Sequence, residues 1–128
     1  MPIKILSTKN APDAIGPYSQ GIQVEDLIFV SGQIGLISGK ELAVKGNIRA
    51  QTERTILNIK NILLSNECGL ENIIKTTLFL LDLNDFSVVN EVYGMYFQNN
   101  PPARSTVEVR SLPKGAKIEI EAIAYKPH

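Results

Sequence analysis

The sequence is short of the residues on which several chemistries depend. It has one cysteine, Cys68, so no disulfide can close within the chain. Its only histidine is His128, which excludes histidine-based triads and His/Cys metal clusters. Formal net charge is zero, from 13 basic and 13 acidic residues, and no basic run stands out. The electrostatic footprint of a nucleic-acid binder is therefore missing. No apolar run approaches the roughly 20 residues that span a bilayer. The opening stretch MPIKILSTKNAPDAIG has neither an apolar core with a small-residue cleavage site nor the Arg-rich, acid-poor character of a transit peptide. Residence in the cytoplasm is the expectation. The glycines between Gly35 and Gly46 are too scattered for a phosphate-binding loop. No repeat, low-complexity segment or internal linker breaks the chain.

What is present is an ordinary globular composition. At 128 residues, with 44% hydrophobic and 20% charged residues, residues 1–128 form one soluble domain able to bury a proper core. Ile3 to Leu6 reads as a short strand, and Asn10 to Pro17, with two prolines and a glycine, as loop. Gln20 to Val24 and Leu27 to Gly32 read as a hairpin turning at Glu25-Asp26. The run Leu27-Ile28-Phe29-Val30 suits a central strand. Gly35 to Gly46 is a connection with room for a brief strand at Leu36-Ile37. Asn47 is placed to cap a helix from Ile48 to about Glu67, with Thr52, Ile56, Ile59 and Leu63 facing the sheet and Gly69 as its stop. Cys68, near its end, suits a small buried or half-buried side chain. Ile73 to Asp82 is a second core strand. Asn84 or Asp85 caps a second helix to about Gln98, with Phe86, Val89, Tyr93 and Phe97 on one face and Asn90 off it.

The stretch Pro101 to Ala124 carries the chemistry. From Arg104 to Arg110 the alternation puts Arg104, Thr106, Glu108 and Arg110 on one face, and Ser105, Val107 and Val109 on the other. From Lys117 to Tyr125, Glu119 and Glu121 oppose Ile118, Ile120, Ala122 and Ala124. The link through Leu112-Pro113-Lys114-Gly115 is short enough for antiparallel neighbours. Arg104 and Glu119 are then expected together on one sheet face. A guanidinium can hold a carboxylate through two parallel hydrogen bonds, and a carboxylate can position or deprotonate a water. A half-solvated face whose charges keep the chain soluble gives the same strand pattern.

Pro102-Ala103-Arg104-Ser105, with the following strand, the short loop and Ile118-Glu119-Ile120, resembles the signature of the Rid family of imine deaminases, the YjgF-like proteins. Ala14-Ile15-Gly16-Pro17-Tyr18-Ser19-Gln20-Gly21 resembles the family's N-terminal motif, and Val30-Ser31-Gly32-Gln33-Ile34 its second. Lys75-Thr76-Thr77, then Asp82 to Phe86 and Val89-Asn90, resembles its third. The motifs cover nearly the whole chain in order.

Two helices and about six strands suggest an α+β two-layer sandwich, a mixed sheet with both helices on one face. The resemblance makes this chorismate-mutase-like and implies a homotrimer with clefts between subunits, meeting through the bare sheet face. It further implies hydrolysis of 2-iminobutanoate and 2-iminopropanoate, or their enamine tautomers, to 2-oxo acids and ammonia. That is a metabolite damage-control role needing no cofactor and no metal. Carried over by residue, Arg104 clamps the substrate carboxylate, and Glu119 activates water and moves a proton to the leaving ammonia. The backbone N–H of Thr106 adds a donor. Tyr18 and Asn90 shape the cleft, and Ser31 and Gly32 offer close backbone contact. Two departures stand out: Thr106 replaces a cysteine common among deaminating relatives, and Pro101 replaces a residue that is often aromatic. The alternative is a non-enzymatic trimeric binder or sensor of small carboxylates such as 2-oxobutanoate. It would use Arg104 without Glu119. Chorismate-mutase chemistry would want more cations around its dicarboxylate than this strand pair offers. Zero net charge and the lack of an internal histidine disfavour a ribonuclease.

Overall fold

A computed structural model describes residues 2–38, 42 and 44–127. Part of the Gly35–Gly46 connection, and His128, lie outside them. Strands β1 (Ile3–Leu6), β2 (Gly21–Val24), β3 (Leu27–Ile34), β4 (Ile73–Leu80), β5 (Ala103–Glu108) and β6 (Ile118–Tyr125) form one sheet in the order β1-β2-β3-β6-β4-β5. Helices α1 (Ile48–Leu64) and α2 (Phe86–Tyr96) cover one face, as the pattern predicts. Among the described residues no helix is long and apolar enough to cross a membrane.

The local expectations are met for local reasons. The β2–β3 hairpin turns at Glu25-Asp26, with Glu25 in the left-handed region at φ 53°. Asn47 Oδ1 accepts the Ala50 N–H at 3.0 Å, satisfying a free donor of α1. Thr52, Ile56, Ile59 and Leu63 are all buried against the sheet. Leu36 forms only an isolated bridge to Leu42. Cys68 is buried, and burial is the main cause pushing its thiol pKa up.

Several expectations are corrected. Helix α1 ends at Leu64, and the left-handed residue beyond it is Glu67 at φ 58°, not Gly69. The Cys68 N–H then returns to the Leu63 carbonyl at 3.0 Å, so the helix end is closed before Gly69 is reached. Asp85 does stand at the N-cap of α2, but its side chain makes no capping bond; Asp82, accepting the Asn84 N–H, opens the 3₁₀ turn at Leu83–Asp85 that leads into the helix.

The larger correction concerns β5 and β6, which are not neighbours. Helix α2 returns the chain beside β4, so β5 pairs with β4 in parallel and takes the open edge of the sheet. Strand β6, whose Ile118, Ile120, Ala122 and Ala124 are almost wholly buried, enters between β3 and β4, antiparallel to both. Its apolar face can be fully covered only in the centre. The registers then fix the faces. Thr76 pairs with both Arg104 and Ala122, so Arg104 lies on the helix-covered face. Phe79 pairs with both Val107 and Glu119, so Glu119 lies on the bare face. Within one chain Arg104 and Glu119 are separated by β4 and point to opposite sides of the sheet.

Candidate functional site

Two half-sites result. The first is built on β5 and α2. The Arg104 Nη1 donates to Asn90 Oδ1 at 2.8 Å. The guanidinium carbon lies over two rings of the same helix, 5.3 Å from the Phe86 centroid and 4.9 Å from that of Tyr93. Asn90 thus faces the same side as Phe86 and Tyr93, one turn from each, rather than standing off their stripe. A cavity of about 420 Å³ opens beside Arg104, bounded by Asn90, Tyr93, Phe97, Pro101 and Pro102.

Strand β5 also presents backbone. The Val109 N–H donates to the Leu80 carbonyl at 2.8 Å. Donors alternate along a strand, so Arg104, Thr106 and Glu108 turn their N–H groups to the open edge. The Thr106 N–H thus opens on the sheet edge formed by the strand that carries Arg104.

The second half-site is on the bare face. The β3–β6 register shifts between Val30 and Gln33, a bulge at Ser31-Gly32. A Cβ on Gly32 would collide with the Glu119 carboxylate and come 2.8 Å from its Cδ. Glycine is thus the residue that lets Glu119 lie flat across β3. Glu119 lines a cavity of about 410 Å³ with Ile15, Tyr18, Gly32, Pro113 and Lys114. Burial pushes the Glu119 carboxyl above the usual carboxylate range, and the Glu121 charge adds to this. Arg104, on the opposite face of the sheet, does not offset this.

Tyr18 is half-exposed, also bordering a larger cavity of about 700 Å³ with Ser19, Ser31, Lys75 and Glu121. Ser31 Oγ donates to the Ser19 carbonyl at 2.6 Å, and its N–H to the Gln20 carbonyl at 2.9 Å. Ser31 therefore fastens the segment that carries Tyr18. Among the described residues no three His, Cys, Asp or Glu side chains converge as metal ligands.

The sequence-derived residues thus fall into two sets. Asn90, Arg104 and Thr106 meet at the sheet edge, while Tyr18, Ser31, Gly32 and Glu119 meet on the bare face. Sequence reasoning missed Gln20, which is buried. Its Nε2 donates to the carbonyls of Thr8 and Pro12 while its Oε1 accepts the Thr8 N–H, pinning the loop before Tyr18. It also read Phe86 and Tyr93 as core stripe only. An arginine on the strand following an aromatic-rich helix was the available signal.

Comparison with known proteins matches residues 8–126 to the Endoribonuclease L-PSP family. The mouse 2-iminobutanoate/2-iminopropanoate deaminase is 46% identical over 123 residues, covering 96% of this chain and 91% of that protein. A RutC family protein of Pyrococcus abyssi is 50% identical, covering 96% of this chain and 97% of its own. Among solved structures, a putative endoribonuclease of Thermotoga maritima superposes with a TM-score of 0.93 at 45% identity, covering 98% of each chain. Escherichia coli TdcF with bound serine superposes at 0.90 and 41% identity, covering 96% of this chain and 98% of that one.

Proposed function

The chain belongs to the Endoribonuclease L-PSP (YjgF/Rid) family, and on that premise we propose that it is an imine deaminase. Its substrates are small 2-imino acids, 2-iminobutanoate and 2-iminopropanoate first among them. The observation that carries the reading is the complementarity of the half-sites. One has an arginine held ready as a carboxylate clamp; the other has a carboxylate of raised pKa, with Lys114 rather than an arginine among the residues lining its cavity. The proposed working site joins Arg104, Asn90 and Thr106 of one copy to Tyr18, Gly32 and Glu119 of the next. The bare face supports assembly, since Phe29, Val107 and Tyr125 expose 43%, 43% and 44% of their surfaces there. A closed ring of three copies gives every copy the same two roles.

The chemistry is light. A protonated imine is already electrophilic, so the protein need only hold it, place water and stabilise what forms. Arg104 grips the carboxylate, with the Thr106 N–H as a further donor. Glu119 takes a proton from water as its oxygen bonds to the imine carbon. The same proton passes to nitrogen; as the carbon–nitrogen bond breaks, Glu119 takes the hydroxyl proton so that the carbonyl forms, then yields it to the departing ammonia, and a 2-oxo acid and ammonium leave. The step consumes only water and uses no cofactor and no metal.

The test is imine lifetime. An amino-acid oxidase generates 2-iminopropanoate, semicarbazide traps what survives, and wild type is compared with Arg104→Ala and with no protein. Accelerated loss with wild type alone supports the reading. No acceleration by wild type overturns it in favour of a carboxylate-binding trimer, a second reading favoured by one observation: the Arg104 clamp is complete without Glu119. Glu119→Gln separates the two, because an enzyme loses turnover there while keeping 2-oxobutanoate binding.

A further inference from the structure

We propose that Tyr93 and Phe86 are positioning residues of the carboxylate clamp, holding the Arg104 guanidinium over their rings before any ligand arrives. The inference rests on reading Arg104 as the group that grips the substrate carboxylate. An arginine side chain has many rotamers, and ordering it on binding weakens affinity. Here three contacts from one helix restrict it: the Phe86 ring at 5.3 Å, the Asn90 amide oxygen at 2.8 Å and the Tyr93 ring at 4.9 Å. Asn90 engages Nη1, and the rings attract the cation through their faces.

Tyr93 is itself immobile. It is 5% exposed, its hydroxyl lies 2.7 Å from Thr76 Oγ1, and its ring centroid is 4.4 Å from that of Phe97. Thr76 is the residue paired with Arg104 across β4 and β5. The tyrosine is therefore tied to the same row of the sheet that launches the arginine. Its hydroxyl is buried against Thr76 and does not reach the open edge. The role is one of placement through the ring.

A tyrosine serving only as core filler would affect stability and nothing else. The test is calorimetric titration of 2-oxobutanoate into the assembled full-length protein, paired with imine-hydrolysis kinetics. It compares wild type, Tyr93→Phe, Tyr93→Leu and Phe86→Leu. Tyr93→Leu and Phe86→Leu should each weaken 2-oxobutanoate about tenfold, the scale of a desolvated cation–π contact, and raise KM by a similar factor with little change in kcat. Tyr93→Phe keeps the ring and should recover affinity to within about twofold of wild type. Phe86 is only partly buried, so Phe86→Leu carries the test if Tyr93→Leu fails to fold. Unchanged affinity in folded Phe86→Leu, or a fall in kcat with KM unmoved, overturns the inference. Wild type that neither binds 2-oxobutanoate nor hydrolyses the imine overturns the clamp reading of Arg104, and with it this inference.

Discussion

At the scale of single residues, Gly32 and Glu119 are one feature. Gly32 lies in the β3 bulge and the Glu119 carboxylate occupies the space a side chain there would need. Gly32→Ala should push the carboxylate aside. The expected outcome is a fall in kcat of about tenfold or more with 2-oxobutanoate affinity retained, read by steady-state kinetics and calorimetry. The raised pKa of Glu119 makes a second prediction in two parts. A base must be ionised, so kcat/KM should fall on acidification as Glu119 protonates; burial raises the pH at which it falls, and the Arg104 guanidinium brought across the proposed interface offsets part of that rise. For stability the sign is opposite. A carboxyl whose pKa rises on folding supports the fold while protonated, below the ordinary glutamate value, and loses that contribution as pH rises through the raised value. Glu119→Gln should therefore melt higher than wild type at pH 7, and the difference should close near about pH 4. Equal melting at both pH values would contradict a half-buried carboxylate whose pKa is raised on folding.

At the scale of elements, β5 decides the site and is the element least legible in the sequence. Its alternation is legible, but an apolar Val107 and a charged Arg104 suggest a core side for the first and an open side for the second. The reverse holds, because β5 is an edge strand beneath the aromatic side of α2, whose Phe86 and Tyr93 accept a guanidinium. Val107 instead joins the exposed apolar patch of the bare face. The insertion of β6 between β3 and β4 was hidden for a related reason. A short link suggests a hairpin, and only the burial demanded by Ile118, Ile120 and Ala122 argues for the centre. Features set by near neighbours were readable, such as the Asn47 cap and the β2–β3 hairpin. The pairing of Gln20 with the distant Thr8 loop was not. The edge position supports a prediction about backbone. Proline is tolerated on an edge strand where the N–H faces outward. Thr106→Pro should fold, as judged by circular dichroism, yet bind 2-oxobutanoate about tenfold more weakly through loss of one donor to a charged ligand. Undiminished binding would remove the Thr106 N–H from the clamp.

At the scale of the whole molecule, the separation of Arg104 and Glu119 by a sheet means that the proposed catalysis requires an assembly. A chain folded alone holds both residues but cannot bring them together, because β4 stands between and the side chains leave opposite faces. If neighbouring copies complete each site, two inactive variants should rescue one another. Arg104→Ala supplies an intact Glu119, and Glu119→Gln supplies an intact Arg104. In a ring refolded from an equal mixture, a site works only when its arginine comes from the second variant and its glutamate from the first. Random assembly gives that combination at about one site in four, so the mixture should recover about a quarter of wild-type imine hydrolysis. Neither variant should recover activity when refolded alone. The double variant Arg104→Ala/Glu119→Gln mixed with wild type supplies the control, since its rings also leave about one site in four intact at equal proportions. No recovery from the mixed single variants, with mixed rings demonstrated by native mass spectrometry, would mean that the two residues do not serve one site across an interface. The base would then have to be sought among groups that share the Arg104 face.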